Sequence, residues 1–265
     1  MATSNMERKV KSLHIYPVKS LGGISVAFSQ VTSSGLQFDR NWMLIDEAGN
    51  FMTQRKFPEM ASFAIKVSDH SLEISNHNDT ILAPFADSGP ELETKVWGDK
   101  IQGKEVSEET SNWLSEKFGF RVKLIHFATL RKVPDAPGTE IPFSDSSPFL
   151  LIGEPSLLDL NTRMKDNLSI TRFRPNIVVS GFDPYEEDTW HRIRIGSCRF
   201  QVFKKCARCQ LPNVNPETAK VDKSILKFLS TYRKDEINRI NFGVHLILIE
   251  GKVINVGDEI ELLSS

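Results

Sequence analysis

The sequence predicts an α+β fold that is mostly β, with a small N-terminal β-barrel-like domain followed by a second β-rich barrel that carries a few amphipathic helices. Three observations predict it. Apolar residues recur mainly in short runs alternating with polar ones, the period of half-buried strands. Gly, Pro, Asn and Asp residues punctuate those runs as turns. Three segments carry an apolar stripe at helical spacing, and they do not alternate regularly with strands, so no βαβ rhythm is expected.

In chain order, residues 9 to 16 (KVKSLHIY) and 24 to 31 (ISVAFSQV) flank a KSLGG turn and read as a hairpin, which places Lys19 and Ser20 at a strand end. Segments 41 to 55 (NWMLIDEAGNFMTQR) and 63 to 75 (FAIKVSDHSLEIS) each read as two short strands, split by turns at Glu47 to Asn50 and at Ser68 to His70. The N-terminal third is therefore expected to be a β-meander closing into a small barrel. A helix is predicted over 107 to 118, capped by Ser107, with Glu108 and Glu109 at its positive end. Thr110, Trp113, Leu114 and Phe118 lie broadly on one side of it, which would make it a lid on the barrel.

After the strand-like RVKLIHF at 121 to 127, the stretch 131 to 148 (RKVPDAPGTEIPFSDSSP) argues against regular structure through its prolines, glycine and small polar residues. A loop of that length is expected to serve a function. The domain boundary is placed near its start, dividing the chain into residues 1 to 125 and 126 to 265, and the active site near its end. Helices are predicted at 154 to 166, with Pro155 in the first turn and Leu157, Leu160, Asn161 and Met164 on one face. A further one is predicted at 222 to 233, with Asp222 as cap and Ile225, Phe228, Leu229 and Tyr232 on one face. NIVVSG at 176 to 181, RIRIGSCRFQVF at 192 to 203 and HLILIEGKVINVGDEIELL at 245 to 263 read as strands separated by glycine turns.

Bulk properties narrow the function. At 265 residues the chain has the length of one large or two modest domains. Its 33 basic and 34 acidic residues nearly cancel, which argues against nucleic acid or an anionic membrane as partner and requires any anion site to be local. The opening MATSNMERKVKS has no apolar run, and runs such as HLILIE at 245 to 250 are too short to span a bilayer, so a cytoplasmic protein with no leader or anchor is expected. Three cysteines, Cys198, Cys206 and Cys209, do not make a disulfide framework. Six histidines, at 14, 70, 77, 126, 191 and 245, show no metal-ligand spacing and read as surface or packing residues.

The sharpest local feature is Lys204-Lys205-Cys206-Ala207-Arg208-Cys209, two thiols in a cluster of positive charge directly after a strand. Positive neighbours favour a thiolate, so at least one sulfur is expected to be a competent ligand or nucleophile. Other readings compete: half of a zinc site, for which two further ligands are missing; a thioredoxin-type pair, against which Pro212 interrupts the required helix start; or two small buried hydrophobes.

HIYPVKSLGG at 14 to 23, GLQFDRNWMLID at 35 to 46, FSDSSPFLLI at 143 to 152, TRFRPNIVVSG at 171 to 181, EEDTW at 186 to 190, CARCQLPNVNPET at 206 to 218 and GKVINVGDEIELL at 251 to 263 resemble the successive motifs of MOSC-domain proteins. They resemble above all the amidoxime-reducing components of mitochondria and their bacterial relatives. The resemblance implies a molybdenum cofactor, a molybdenum ion held by a pterin dithiolene, with Cys209 as the thiolate that completes the sulfur ligation and Cys206 as its neighbour. Soft thiolate suits a metal already bound by soft sulfur. It also implies that Lys19, Ser20, Arg40, Ser146, Arg174, Asn176, Ala207 and Arg208 stand at cofactor-contacting positions; no glycine-rich P-loop is present, so side chains must hold the cofactor's phosphate. Any one of these cations, taken singly, reads first as a solvated surface charge, and only their joint placement in the matching motifs points to a site.

By the same resemblance, the loop bearing Asp145, Ser146 and Ser147 lies over the metal, with Asp145 as candidate for proton delivery or water positioning; an Asx-type turn or a helix cap is the plainer reading. Asn176 either orients the pterin or satisfies backbone groups at a strand start. Where the amidoxime reducers follow the ligand cysteine with a Thr-Thr pair, this chain has Gln210-Leu211, which leaves substrate preference open. The implied activity is reduction of small N-hydroxylated compounds, with electrons from a separate protein such as a ferredoxin, a cytochrome b5-like protein or a flavin reductase. The alternatives are a molybdenum-cofactor sulfurase-like sulfur carrier and a cofactor-carrier module.

Overall fold

The computed structural model describes residues 7–85 and 88–264. The opening residues read above as lacking an apolar leader lie in part outside that range. The fold is mostly β, as the alternating runs predicted, and its largest element is an eight-stranded sheet. Across that sheet the strands run Ile24–Val26, Lys9–Ile15, Ile177–Ser180, Phe149–Gly153, Asn241–Glu250, Cys198–Ala207, Arg192–Ile195 and Ile260–Leu263. Strands from the first and last parts of the chain thus share one ladder: Leu13 faces Val26 on one side and Ile177 on the other. The Phe28–Thr32 strand, continuing from the hairpin, pairs with Val253–Asn255.

Alternation along the central Phe149–Gly153 strand sends side chains to two cores. Phe149 and Leu151 join the cluster of Val10, Leu13, Ile177, Phe200 and Leu246, while Leu150 and Ile152 join that of Leu160, Phe173, Cys206 and Phe242. Two helices cover the second face. Helix α1 (Glu108–Phe118) belongs instead to the N-terminal part, where the Ser107 hydroxyl accepts the Thr110 N–H at 3.1 Å and Gly119 closes the end at φ +74°. It buries Leu114 against Leu44, Phe63 and Leu124, as the expected lid.

Helix α2 (Glu154–Met164) begins at Gly153, which has no capping side chain; the buried Glu187 carboxylate supplies one, accepting from Gly153 N at 3.1 Å and Ser156 Oγ at 2.8 Å. The helix stops at Met164, two residues short of expectation, because Lys165 turns left-handed. Helix α3 is confined to Ser224–Leu229, shorter than the apolar stripe at 222 to 233 implied; Asp222 does accept the Ser224 N–H, at 2.9 Å.

Two expectations need correction, and three strands lie where none was expected. The stretch 131 to 148 is not wholly irregular, since Arg131–Lys132 pairs with Glu140–Ile141. One parallel crossover exists: Phe149–Gly153 and Ile177–Ser180 run side by side, joined through α2, because the intervening chain has the length to cross back over the sheet. Strands at Glu91–Val96 and Asp99–Glu105 carry too many charges to have stood out by alternation, and Asp79–Pro84 has its apolar residues Ile81 and Leu82 adjacent instead of alternating. Among the described residues no helix is long and apolar enough to cross a membrane.

A bulge in the Asn241–Glu250 strand positions the site. Lys205 faces Val244 but Ala207 faces Asn241, so the strand carries one extra residue here, and Gly243 takes it up at φ +79°. The pleat inverts: Phe242 and Val244 lie in different cores although two residues apart. A Cβ at Gly243 would stand 2.6 Å from Ile152 Cγ1 and 2.7 Å from Leu151 O. Gly243→Ala is therefore expected to cost about 2 to 5 kcal/mol from left-handed strain plus overpacking, read as a lowered denaturation midpoint.

Candidate active site

Three of the residues that line one pocket adopt left-handed backbone without being glycine: Ser20 (φ +68°), Arg40 (φ +53°) and Arg174 (φ +52°). Such strain persists only where the surroundings over-determine it. The KSLGG turn is fixed by Lys19 N donating to Trp42 O at 2.7 Å, and Gly22 is required because a Cβ there would lie 2.5 Å from Phe63 O. The same pocket, about 830 Å3 of space partly open to solvent, is lined by Lys19, Ser20, Arg40, Asp145, Ser146, Arg174, Asn176, Ala207, Arg208 and Cys209. Residues drawn from five separate sequence motifs thus meet in one place.

The cations are held by neutral groups more than by carboxylates. The Tyr16 ring is stacked between two guanidinium groups, Arg174 at 4.1 Å and Arg40 at 4.4 Å from its centroid. Arg174 Nη1 donates to Leu21 O at 2.7 Å, Arg40 Nη2 to Arg174 O at 3.2 Å and Arg208 Nη2 to Phe173 O at 2.8 Å. Asp39 pairs with Arg40 at 2.5 Å. Burial, and then repulsion from Arg40, bring Arg174 down to about 10, and burial pushes Tyr16 up to about 12.

Lys19, only 5% exposed, donates to Phe143 O at 2.7 Å and pairs with Asp145. The Asp145 side chain is about half exposed, at 48%, and also accepts Trp97 Nε1 at 3.0 Å. Desolvation pushes its carboxyl up, but the Lys19 ammonium, the Trp97 indole and the Arg55 charge outweigh it and hold Asp145 well below the usual carboxylate range. Arg131 anchors the loop beneath, donating to the Ser144 and Asp145 carbonyls and pairing with Asp99 at 3.0 Å.

The two thiols divide. Cys209 is exposed at the pocket edge, whereas Cys206 is buried and accepts Arg208 Nη1 at 3.1 Å. Burial pushes the Cys206 thiol up, but the charges of Arg208 and His245 overcome this and bring it down to about 6. Asn176 lines the pocket, yet its amide is spent on backbone: Oδ1 accepts Leu150 N at 3.1 Å and Nδ2 donates to His14 O at 3.2 Å. Of the two roles open to it in the sequence, the structure shows the clamp between strands. Ser147 likewise donates to Phe149 O and Leu246 O.

Sequence reasoning missed Thr53, Arg55 and His245 in the lining and Trp97 and Arg131 behind it. Nothing in local spacing marks them; His245 in particular read as a packing residue because its pocket neighbours lie far away in sequence.

The unmatched donors at the pocket are of one chemical kind. Arg174 Nη2 and Arg208 Nε are buried with no hydrogen-bond partner among the described residues. Unmatched guanidinium N–H groups beside Lys19 and Arg40 fit an anion with several acceptor oxygens, such as a phosphate. Among the described residues no cluster of three His, Cys, Asp or Glu side chains is able to hold a bare metal ion. A metal at Cys209 would have to bring its remaining ligands with it.

Comparisons with known proteins agree with the motifs. Models of the MOSC N-terminal beta barrel domain and of the MOSC domain match residues 7–121 and 138–261. Mitochondrial amidoxime-reducing component 1 of Mus musculus is 33% identical, covering 96% of this chain and 82% of its own. Molybdenum cofactor sulfurase of Oryza sativa subsp. japonica is 32% identical over 89% of this chain, which matches 32% of that protein. Among solved structures, the YUAD protein from Bacillus subtilis aligns over 96% of this chain at 11% identity and a TM-score of 0.45. Identity at this level over nearly the whole length makes the chain a member of the MOSC-domain family, the one to which the mitochondrial amidoxime-reducing components belong.

Proposed function

We propose that this protein is a molybdenum-cofactor oxidoreductase that removes the oxygen of N-hydroxylated compounds such as amidoximes. The observation that carries this reading is the convergence of Cys209 with Lys19, Arg40, Arg174 and Arg208 on one pocket that also holds unmatched buried donors. The bound cofactor supplies the two-electron change. Cys209 is the thiolate ligand; Lys19, Ser20, Arg40, Arg174 and Arg208 hold the phosphate and pterin, with Ser146 and Ala207 beside them. A separate redox protein delivers the electrons.

The net conversion is R–C(NH2)=N–OH + 2 e− + 2 H+ → R–C(NH2)=NH + H2O. Asp145, kept ionised by Lys19, is an acceptor and not an acid: it orients the substrate's N–H groups or a water at the pocket mouth. Neutralisation of the cofactor's charge falls to the arginines, whose planar forks match phosphate oxygens.

Sulfur transfer is the second reading, favoured by the low-lying Cys206 thiol and by the relative named as a molybdenum cofactor sulfurase. Cofactor-loaded protein supplied with a chemical reductant should convert benzamidoxime to benzamidine. Sustained failure at full metal occupancy would favour the sulfur-handling or carrier role.

Two substitutions test the residue roles. Cys206→Ser should retain molybdenum by metal analysis, whereas Cys209→Ser should lose activity; the opposite pattern would reverse the ligand assignment. Arg174→Ala removes charge-assisted hydrogen bonds of about 1.5 to 3 kcal/mol, so cofactor affinity should drop roughly 10- to 100-fold, read from the fluorescence of the oxidised pterin.

A further inference from the structure

His245 is the one imidazole in the pocket lining. The Gly243 bulge sends it there: Val244 and Leu246 on either side face the opposite core, so the ring between them emerges on the face shared with Cys206. Its Nε2 lies 3.3 Å from Ser146 Oγ, and the buried Nδ1 has no hydrogen-bond partner of standard geometry among the described residues. Phe203 covers the ring at 6.1 Å between centroids.

The charged neighbours are few and sort clearly. Lys204, opposite His245 in the ladder, turns outward to Asp135 at 2.9 Å. Arg208 is committed to Cys206 and Phe173 O. Asp145, next to Ser146, is committed to Lys19 and Trp97, and the flanking Leu150 brings no charge. The Cys206 sulfur, in the same pocket lining, is the group that interacts with the imidazole.

Reduction of an N–OH group consumes two protons. One goes to the hydroxyl, which leaves as water when the N–O bond breaks, and one to the nitrogen; the two electrons come from the external redox protein. Of the titratable groups at the pocket, Asp145 is ionised, Lys19 is locked between Phe143 O and Asp145, and Cys206 lies on the thiolate side at neutral pH. We propose that His245, with Cys206 as its counter-charge, donates the proton to the departing hydroxyl, and that Ser146 relays the replacement from solvent. This role rests on the reductase reading above.

Two measurements test it. In cofactor-free Cys209→Ser protein, the thiolate absorbance of Cys206 at about 240 nm, taken as the difference from the Cys206→Ser, Cys209→Ser double variant, should titrate at about pH 6, and His245→Gln should move that midpoint up by about one unit because a stabilising positive neighbour is lost. An unmoved midpoint overturns the pairing. In cofactor-loaded protein, His245→Gln should lower kcat about 100-fold with KM and molybdenum content unchanged, and should abolish the fall in rate on the alkaline side where a general acid loses its proton. A loss under threefold, or an alkaline limb that survives, overturns the donor role. Wild-type protein that is fully loaded and reduces no N-hydroxylated compound sinks the reductase reading itself, while the thiolate titration still decides whether the Cys206 and His245 pair exists.

Discussion

Crowding like charges into one pocket is the constraint on which the rest of the site depends. Lys19, Arg40, Arg55, Arg174 and Arg208 surround a space with a single carboxylate in its lining. At an effective dielectric of 20, each pair of such charges about 8 Å apart repels by about 2 kcal/mol. The fold offsets this with neutral acceptors, the π face of Tyr16 and the carbonyls of Leu21, Phe143, Phe173 and Arg174, and with the Asp39 carboxylate, which pairs with Arg40 and also accepts Tyr16 N at 2.8 Å. Left-handed backbone at Ser20, Arg40 and Arg174 aims these groups inward, at a local conformational cost that an anionic ligand would help repay.

The same constraint explains why the pocket is preformed yet incomplete. Carbonyl oxygens and the Cys206 sulfur satisfy part of each guanidinium, and among the described residues Arg174 Nη2 and Arg208 Nε keep no hydrogen-bond partner. A near-neutral chain concentrates positive potential here without becoming basic overall, so the attraction is local and selective for an anion small enough to enter.

Much of this was legible in the sequence, and the rest was not for definite reasons. The hairpin at Phe63–Val67 and Ser71–Asn76 and the cap at Ser107 follow from period-two alternation and local hydrogen bonding, which are properties of contiguous residues. The motif residues Lys19, Arg40, Arg174 and Cys209 were found through resemblance, since nothing local says that positions so far apart converge. His245 escaped because its pocket neighbours Ser146 and Cys206 lie far away in sequence, so no local spacing marks it. Arg55, Trp97 and Arg131 escaped because their partners lie in other segments. The crossover through α2 was missed because one parallel pair leaves no repeating rhythm.

The placement of the Lys9–Ile15 strand has a consequence for how the molecule comes into being. It is hydrogen-bonded to Ile177–Ser180, and His14 N reaches Asn176 O across most of the polypeptide. During synthesis this early strand must wait, one edge unsatisfied, until its distant mate leaves the ribosome, and closing so long a loop makes the ladder slow to nucleate. Because Lys19 follows directly on that strand and Arg174 precedes its mate, the anion cradle is assembled only by this late closure. Any anion held there would thereby report finished folding: a nascent or misfolded chain has no complete basin in which to trap it.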